Sequence, residues 1–364
     1  MKLLVEKIQS ELDFNNYLKI VESFKVNNPF YRIIDANLNE LKDGNLRYFI
    51  MQNQDEDNLI VMPFLLRKIE YINQKDQYYD VISPYGYSGP LFNQNLSRGY
   101  LILFWELVDE WYRNNNVVSE FVRFNLCNNY DFYSGTLIPT LINVKGAIID
   151  SHVQWSNFKQ KVRNNYRRGI NNNLKIEIAF EDIDDSTIQL FHSIYIRTMA
   201  RIHAEVEYFY STNCLKNIIK LSRRKCLIAF VYFEDIAISA ELILISGTSL
   251  YSYLGGTLSD YFSLRPNDFL KIEVLNWARK NDMEYYILGG GRKDYDNLYR
   301  YKKSFFPHDT DVIYYTGRKI VNKQIYDNLC NIYNVEVSDK EKITTQYFPV
   351  YRKNNESVKR CVYR

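Results

Sequence analysis

The order of apolar and polar positions along the chain is repeated in its two halves. In the first half, RYFIMQ (47–52) and LIVMPFLLRK (59–68) have the composition of strands and flank a polar turn, NQDEDN. In the second half, CLIAFVYF (226–233) and IAISAELILI (236–245) flank an acidic dipeptide. Two similar hairpins at corresponding places indicate an internal duplication.

A helix and a further strand are predicted after each hairpin. In the first half six apolar residues fall at helical spacing, namely Tyr100, Leu103, Phe104, Leu107, Val108 and Trp111, and VVSEFVRFNL (117–126) follows them. In the second half, FLKIEVLNWARKND (269–282) precedes MEYYILGGG (283–291). This order predicts a mixed α/β fold rather than a helical bundle or a β-sandwich, with Trp111 and Trp277 packed in the cores.

The segment between the halves is predicted to form a basic amphipathic helix. One face of 155–175 is apolar: Trp155, Phe158, Val162 and Tyr166. Another face is basic: Lys159, Arg163 and Arg167. A second helix is predicted at 191–202. We expect an N-terminal domain at 1–150, a C-terminal domain at 151–335 and a basic C-terminal tail at 336–364.

Composition adds limits on size, location and partners. With 364 residues the chain exceeds the size that one hydrophobic core usually serves, so two domains are expected. The 46 basic and 43 acidic side chains give a net charge of +3, too balanced for a general nucleic-acid-coating protein, and no DNA partner is expected. Five scattered cysteines favour a reducing compartment. The start lacks the apolar stretch of a signal peptide, so we expect a cytoplasmic protein with at most peripheral membrane association.

The motifs of several catalytic classes are absent from the sequence. The four histidines form no H-E-x-x-H pattern and lie near no cysteine pair, so no metal site is expected. GYSGP (86–90) lacks the final glycine of a nucleophile elbow, and GGGRKD (289–294) lacks the last glycine of a dinucleotide-binding loop. The remaining chemistry is direct group transfer, catalysed by positioning and electrostatics, with no tightly bound cofactor.

Four segments in a fixed order resemble the Fem-type peptidoglycan aminoacyltransferases and their GNAT-like N-acyltransferase relatives. They are SPYGYSGPLF (83–92), WSNFKQKVRNNYRRGI (155–170), YIRTMARIHA (195–204) and the long segment from LRPNDFLK to YRYKKSFFP (264–307). The resemblance implies an α/β (α+β) fold of two tandem GNAT-like domains, each a mixed, mostly antiparallel sheet flanked by helices. The chain departs from the family because Gly89-Pro90 is followed directly by Leu91, Phe92 and Asn93 rather than by an acidic residue, and because the sequence shows no long heptad-patterned helical arm for transfer RNA.

The resemblance also implies an activity. This activity is N-acyl transfer from an activated co-substrate, either acyl-CoA or aminoacyl-tRNA, to an amino group of a nucleotide- or lipid-linked cell-envelope precursor that carries a sugar or peptide. The C-terminal domain would bind the acyl donor and hold the catalytic residues. The alternative from a different class is a non-catalytic GNAT-like binding module, because a fold alone does not establish activity.

Catalytic candidates lie in the second half of the chain. Glu241 is an isolated carboxylate in an apolar strand and is the candidate proton acceptor, although strand alternation could also point it to solvent. Tyr253, on the adjoining strand, could reprotonate the leaving group or pack in the core. Lys302 and Lys303 are carried over from the resemblance as groups that stabilise negative charge, and a solvated lysine pair is the alternative.

Candidates for binding the acyl donor are polar residues near helix ends. At a predicted helix start, Arg265, Asn267 and Asp268 either cradle a phosphate or cap the helix. Arg163 and Arg167 could bind further phosphates through their forked guanidinium groups, or they could form a solvated helix face.

Candidates for binding the acceptor come from two other segments. The resemblance implies Arg201, which could instead pair with Glu205 on the helix surface. Gly86, Tyr87 and Gly89 form a predicted close-approach turn that could also present backbone groups to a sugar or peptide.

Overall fold

The structure is a computed structural model that describes residues 2–24, 28–34, 45–52, 59–70, 76–93, 96–222, 225–335, 338–344 and 347–353. Contacts divide the chain into two compact units. The N-terminal unit comprises 1–25, 38–140 and 314–364, and the C-terminal unit comprises 26–37 and 141–313. Both units are discontinuous in sequence, whereas the segments expected at 1–150, 151–335 and 336–364 are continuous.

Strands and helices are interspersed along the described residues. The first part contains β1 (Leu3–Lys7), α1 (Glu11–Ser23), β2 (Leu46–Gln52), β3 (Leu59–Ile69), β4 (Tyr78–Ile82), β5 (Leu91–Phe92), α2 (Arg98–Asn114), β6 (Val117–Arg123) and β7 (Thr136–Ala147). The later part contains α3 (Ser151–Asn157), α4 (Gln160–Asn171), β8 (Lys175–Phe180), α5 (Asp185–Arg201), α6 (Thr212–Leu221), β9 (Cys226–Phe233), β10 (Ile236–Ser246), β11 (Ser249–Thr257), α7 (Pro266–Lys280), β12 (Tyr285–Gly289), α8 (Asn297–Lys303), β13 (Val312–Ile320), α9 (Lys323–Ile332) and α10 (Asp339–Thr344). The strands of both predicted hairpins and the helices that follow them are confirmed. The turn predicted at 53–58 lies outside the described residues.

Each unit is built on a mixed sheet, and the two sheets have the same pattern. In the N-terminal unit the strand order is β1-β2-β3-β4-β6-β13, and β4 and β6 form its parallel pair. In the C-terminal unit the order is β8-β9-β10-β11-β12-β7, and β11 and β12 form the parallel pair. The other strand pairings within the two sheets are antiparallel. The duplication inferred from the sequence is therefore confirmed.

The last strand of each sheet comes from a distant part of the sequence. β13 pairs antiparallel with β6 and completes the N-terminal sheet. The end of β7, at 144–147, pairs antiparallel with β12 and completes the C-terminal sheet. Hydrophobic periodicity reports local structure and does not predict which distant strands pair.

Helices cover both faces of the C-terminal sheet. Glu241 of β10 lies opposite Gly255 of β11, and successive side chains of a strand point to opposite faces. On the face of Glu241, Lys271 of α7 contacts the sheet. On the other face α5 approaches Gly256 so closely that a Cβ atom there would lie 2.7 Å from Thr198 Oγ1. Glycine at 256 therefore permits the close packing of α5.

The helix predicted at 155–175 is divided in two. α3 and α4 are separated at Phe158, whose side chain is 3% exposed and packs edge-on against Phe305. The Arg163 guanidinium donates to the main-chain carbonyl oxygens of Ser156, at 2.9 Å, and of Phe158 across this break. Burial of the Phe158 ring and these charged hydrogen bonds stabilise a turn that helical periodicity did not indicate.

The last described segment, 347–353, packs into the N-terminal unit. Tyr351 is 1% exposed, and Arg352 Nε lies 2.7 Å from Asp80 Oδ2 on β4. Arg67 Nε lies 2.8 Å from the other oxygen of this buried carboxylate. In its described part, the basic tail expected at 336–364 therefore contributes to the packed structure.

Two kinds of feature are absent from the described residues. Among the described helices, none has both the length and the apolar composition needed to cross a membrane. Within the same ranges, no group of three or more His, Cys, Asp or Glu side chains could hold a metal ion.

Candidate active site

A buried polar cluster lies between β10, β11, β12 and α7 of the C-terminal unit. Glu241 is 4% exposed, and its Oε1 lies 2.6 Å from Nζ of Lys271, which is 7% exposed. The Ser252 hydroxyl donates to the same carboxylate oxygen. Lys271 Nζ also lies 3.2 Å from Ser252 Oγ and 3.1 Å from the Tyr286 hydroxyl oxygen. We call Glu241, Ser252, Lys271 and Tyr286 the Glu241 network.

The pattern of α7 explains why a lysine faces this cluster. Pro266 begins the helix, and its buried positions include Asp268, Lys271, Leu275 and Ala278, which are three or four residues apart. Lys271 therefore belongs to the helix face that packs on the sheet. It is not among the site residues predicted from the sequence, although a charged residue within an apolar helical stripe was the available signal.

The charges of this network are buried at a cost that its hydrogen bonds offset. Transfer of an ion pair into the interior costs several kcal/mol per ion unless the remaining donors and acceptors are satisfied. The three N–H donors of Lys271 have three acceptors within 3.2 Å. Burial lowers the pKa of Lys271, and the Glu241 carboxylate acts in the opposite direction. Loss of one member would leave the others buried without their partners.

A β-bulge decides which side chain of β11 meets Glu241. Between Leu242 and Ile243 of β10 the pairing register with β11 shifts, so that Ser252 lies opposite Ile243 and Tyr253 is the extra residue. Because alternate residues of β10 share a face, Ser252 lies on the face of Glu241. A bulge of this kind is not visible in the hydrophobic pattern of the β11 sequence YSYLGG (251–256).

Tyr253, predicted from the sequence as a candidate acid, has other contacts. Its ring packs edge-on against Phe30, with ring centroids 5.8 Å apart. Its side chain forms a hydrogen bond with Tyr210. These contacts agree with the alternative of core packing.

The sheet opens next to Ser252. β11 and β12 pair at three positions, Ser249 to Tyr251 with Tyr285 to Ile287, and Ser252 is the next residue of β11. Ser252 is partly exposed, whereas the other three members of the Glu241 network are buried. A ligand group that enters between the two strands would therefore meet Ser252 first.

Lys302 and Lys303, predicted as a pair, have different surroundings. Lys302 Nζ donates to the Gly290 carbonyl oxygen at 2.6 Å. Burial lowers the pKa of Lys302 to about 8, and the positive charge of Lys271 contributes, while Glu241 acts in the opposite direction. Lys303 instead forms an ion pair with Asp311, with 2.8 Å between Nζ and Oδ1. Of the two lysines, Lys302 is the one that is electrostatically coupled to the Glu241 network.

Tyr301 is a further polar side chain of this region that the sequence analysis did not identify. Its hydroxyl oxygen is buried and has no hydrogen-bond partner among the described residues. Burial raises the pKa of Tyr301 well above its ordinary value, and the negative charges of Asp268 and Glu241 act in the same direction. A buried hydroxyl without a partner is uncommon and is a candidate to bind a substrate group.

The residues predicted at the start of α7 are divided between surface and interior. Arg265 is exposed and has a left-handed backbone with φ of 61°, and it makes no side-chain cap hydrogen bond. Asn267 is also exposed, whereas Asp268 is 7% exposed and bonds to Asn165. Burial raises the pKa of Asp268, against the effects of the Asn165 hydrogen bond and the Arg265 charge. Arg265 therefore occupies the N-cap position of α7 without a side-chain cap hydrogen bond.

Two other predicted arginines are exposed and stack on aromatic rings. Arg167 lies over Trp155, with 5.4 Å from Cζ to the ring centroid. Arg201, the last residue of α5, lies over Phe262 at 4.8 Å. Arg163 is instead engaged with carbonyl oxygens at the break between α3 and α4.

The predicted turn residues Gly86, Tyr87 and Gly89 belong to the N-terminal unit. Gly86 has φ of 99° and Gly89 has φ of 82°. A Cβ atom at 89 would lie 2.9 Å from the Phe124 ring and 2.9 Å from the Asn129 side chain, so close packing explains this glycine. Burial raises the pKa of Tyr87.

A shallow cavity of about 360 Å³ lies elsewhere, at the β8 edge of the C-terminal sheet. Its lining is Lys175, Ile176, Glu177, Tyr232, Glu234 and Asp235. The cavity shares no residue with the Glu241 network, and its three carboxylates would repel the phosphates of an acyl donor. We therefore assign the candidate active site to the network rather than to this cavity.

Comparison with known proteins gives a family match in the central part of the chain. Residues 160–303 match a family model described as the acetyltransferase (GNAT) domain. No curated protein gave a significant sequence match. A solved structure of FemX has a TM-score of 0.56 and 12% identity, covering 78% of this chain and 90% of that one. L-PGS from Bacillus licheniformis has a TM-score of 0.56 and 10% identity, covering 91% of this chain and 98% of that one.

A third solved structure extends the likeness over nearly the whole chain. It is the C-terminal domain of a protein from Agrobacterium fabrum that is provisionally assigned as a lysylphosphatidylglycerol synthetase. Its TM-score is 0.55 at 12% identity, covering 93% of this chain and 99% of that one. At these identities the likeness is one of fold. The predicted fold class, α/β with two tandem GNAT-like halves, is confirmed, and residues 160–303 match the model of the GNAT acetyltransferase domain.

Proposed function

We propose that the C-terminal unit catalyses N-acyl transfer from an activated donor, acyl-CoA or aminoacyl-tRNA, to an amino group. The observation that carries this proposal is the Glu241 network, in which a partly exposed hydroxyl and a buried carboxylate meet where β11 and β12 separate. Amide formation from a thioester or ester needs a proton acceptor, a positive charge for the oxyanion and a proton donor for the leaving group. The match of residues 160–303 to the GNAT domain supports acyl transfer.

Each of these needs has a candidate residue. Glu241 is the proton acceptor. Lys302, with a pKa of about 8, is mostly charged at neutral pH. Its hydrogen bond to the Gly290 carbonyl oxygen uses one of its three N–H donors, so the other two stabilise the oxyanion. Tyr301 protonates the leaving group through its buried, unpartnered hydroxyl. Lys303 supports α8 through Asp311 rather than touching the substrate.

The two substrates would be held by exposed polar residues. Arg265 and Asn267, exposed at the start of α7, contact phosphates of the acyl donor. Arg201 contacts an anionic group of the acceptor. For the acceptor itself we propose a nucleotide- or lipid-linked cell-envelope precursor. The sequence resemblance to Fem-type enzymes supports this class, as does the likeness in fold to FemX and to the lysylphosphatidylglycerol synthetase domain.

The test is a transfer assay on the purified protein. Acetyl-CoA and aminoacyl-tRNA are supplied as donors, and nucleotide-linked and lipid-linked amino sugars and peptides as acceptors. Products are identified by mass spectrometry. We expect transfer from one donor class, with a large loss in Lys302→Ala. Lys216→Ala is the control, because Lys216 forms an ion pair with Asp185 on the surface. Equal rates in Lys302→Ala and wild type would remove Lys302 from the mechanism.

A non-catalytic binding module is the second candidate. The observation that favours it is that all three N–H donors of Lys271 are engaged within the Glu241 network, since a buried ion pair can be purely structural. A ligand that prefers the native state raises the melting temperature whether or not it reacts. Stabilisation by a donor or an acceptor without any transfer would therefore support the binding module.

A further inference from the structure

We propose that Ser252 is a proton relay that connects the acceptor amine to the buried Glu241 carboxylate. The transfer step of this inference rests on the proposed function. Glu241 is 4% exposed, so an amine that enters between β11 and β12 cannot contact it directly. Ser252 is partly exposed, donates to Glu241 Oε1, and is the first residue of β11 beyond its pairing with β12. A hydroxyl can accept one proton while it donates another.

The bulge at Tyr253 is what gives Ser252 this position. In a regular ladder residue 253 would lie opposite Ile243 and share the face of Glu241, and 252 would point to the other face. The register shift puts the small hydroxyl there instead. A tyrosine in that place would fill the opening, whereas a serine leaves room for the substrate amine.

The other two members of the network act as positioning residues. Lys271 provides the counter-charge for Glu241 at 2.6 Å and holds Ser252 Oγ at 3.2 Å. Tyr286 accepts the remaining donor of Lys271 at 3.1 Å. With all three N–H groups of Lys271 engaged, the Ser252 hydroxyl hydrogen is directed to Glu241 rather than to other acceptors.

The protons of the transfer balance as follows. The amine nitrogen attacks the acyl carbon, and the new N–C bond leaves the nitrogen with one proton too many. That proton passes to Ser252 Oγ while the original hydroxyl proton of Ser252 passes to Glu241. The bond from the acyl carbon to the leaving sulfur or oxygen breaks, and the leaving group takes a proton from Tyr301. After the products leave, water that fills the vacated site returns a proton to Tyr301 and takes one from Glu241 through Ser252, so no redox partner is required.

The kinetic test compares two substitutions at one position. Ser252→Ala removes the relay, and turnover at neutral pH should fall by roughly 10²-fold with the donor KM little changed. Ser252→Thr retains a hydroxyl and should restore most of the rate. The control is Ser239→Ala, which removes a buried hydroxyl of β10 bonded to Thr257 at 2.8 Å and should leave the rate unchanged. Added small bases should accelerate Ser252→Ala and not wild type.

Two kinetic results would overturn the relay. Turnover of Ser252→Ala within about twofold of wild type would reduce Ser252 to a structural partner of the ion pair. An acyl adduct on Ser252, seen by mass spectrometry with donor alone, would make it a nucleophile instead.

A second measurement does not depend on turnover. Exchange of the Lys271 ammonium protons with water, followed by NMR of nitrogen-labelled lysine, should be about tenfold slower in Ser252→Ala and normal in Ser252→Thr, because Ser252 is the exposed end of the network. Unchanged exchange in Ser252→Ala would contradict the relay. Slowed exchange in a protein that transfers no acyl group from any donor would retain the relay and reject the proposed function.

Discussion

The charge of Lys302 makes folding stability depend on pH. Burial lowers the pKa of Lys302 from 10.5 to about 8, so the folded chain releases this proton at a lower pH than the unfolded chain does. Below about pH 8 both states hold the proton, and the full cost of burying the ammonium is present. Between about pH 8 and pH 10.5 that cost disappears. The contribution of Lys302 to the free energy of unfolding therefore rises with pH, by about 3 kcal/mol at most.

We predict that Lys302→Met removes this rise. Denaturant unfolding of wild type and variant would be compared at about pH 7 and about pH 9.5, and the advantage of the variant should be larger at the lower pH. Lys280→Met is the control, because Lys280 is exposed at the end of α7. A stability difference that is equal at the two pH values would contradict the lowered pKa of Lys302.

The Glu241 carboxylate gives a second prediction for a single residue. Glu241→Gln retains the shape of the side chain and removes its charge, so turnover should fall by roughly 10²-fold or more. Glu177→Gln on the exposed surface of β8 is the control and should retain activity. Melting temperatures of both variants are needed, because Lys271 would lose its counter-charge in the first. A Glu241→Gln rate equal to wild type across the pH range would exclude Glu241 as the base.

At the scale of elements, sequence reasoning succeeded where the signal is local. The hairpin of β9 and β10 and the helices α2 and α7 follow from apolar spacing within about 20 residues, which is the range over which periodicity is informative. The contact of Glu241 with Lys271 joins residues 30 positions apart, on a strand and a helix. Their approach depends on how α7 packs on the sheet, so Lys271 was missed.

The bulge in β11 shows a different limit of sequence reasoning. A single extra residue reverses the face of every side chain beyond it, and nothing in the composition of 249–257 marks the place. The strand was therefore predicted correctly, while Ser252, the residue of β11 that contacts Glu241, was not among the predicted site residues. Prediction of strand existence is robust to such a shift, and prediction of a site is not.

The packing of α5 on the C-terminal sheet gives a third prediction. Gly256→Ala would bring a Cβ atom to 2.7 Å from Thr198 Oγ1 and 2.9 Å from the Ile194 carbonyl oxygen. Because one of these atoms is backbone, α5 must shift, and unfolding free energy should fall by about 1–3 kcal/mol. Gly99→Ala in α2 is the control, since no atom lies within 4 Å of its added Cβ, and it should gain up to about 1 kcal/mol of helix propensity. Equal stabilities of Gly256→Ala and wild type would show that α5 adapts without cost.

At the scale of the whole molecule, the distribution of charge bears on which of the two proposed acyl donors binds. The net charge is +3, but Lys161, Arg167 and Arg168 are all exposed on α4. Lys302 is largely buried and Lys303 is ion-paired, so α4 is better placed than either lysine to meet a polyanion. A CoA thioester carries few phosphates and would engage few of these cations.

We predict that the salt dependence of donor binding identifies the donor. If aminoacyl-tRNA binds, log Kd should change steeply with log salt, and Lys161→Ala/Arg167→Ala/Arg168→Ala should flatten the slope by about 0.7–0.9 per lost phosphate contact. The control triple Lys19→Ala/Lys220→Ala/Lys280→Ala removes the same charge from exposed positions elsewhere. Equal slopes in the two triple variants would exclude α4 from donor binding.

The last strand of each sheet comes from a distant part of the sequence, and this has a consequence for synthesis on the ribosome. When 1–150 have been made, β6 still lacks β13, which pairs with it and lies at 312–320. The C-terminal sheet instead receives β7, which is already present when β12 emerges. The order of completion therefore reverses the order of translation, and the sheet that begins first closes last. An unpaired strand edge invites association with other chains, so the nascent protein carries an aggregation-prone edge through most of its synthesis.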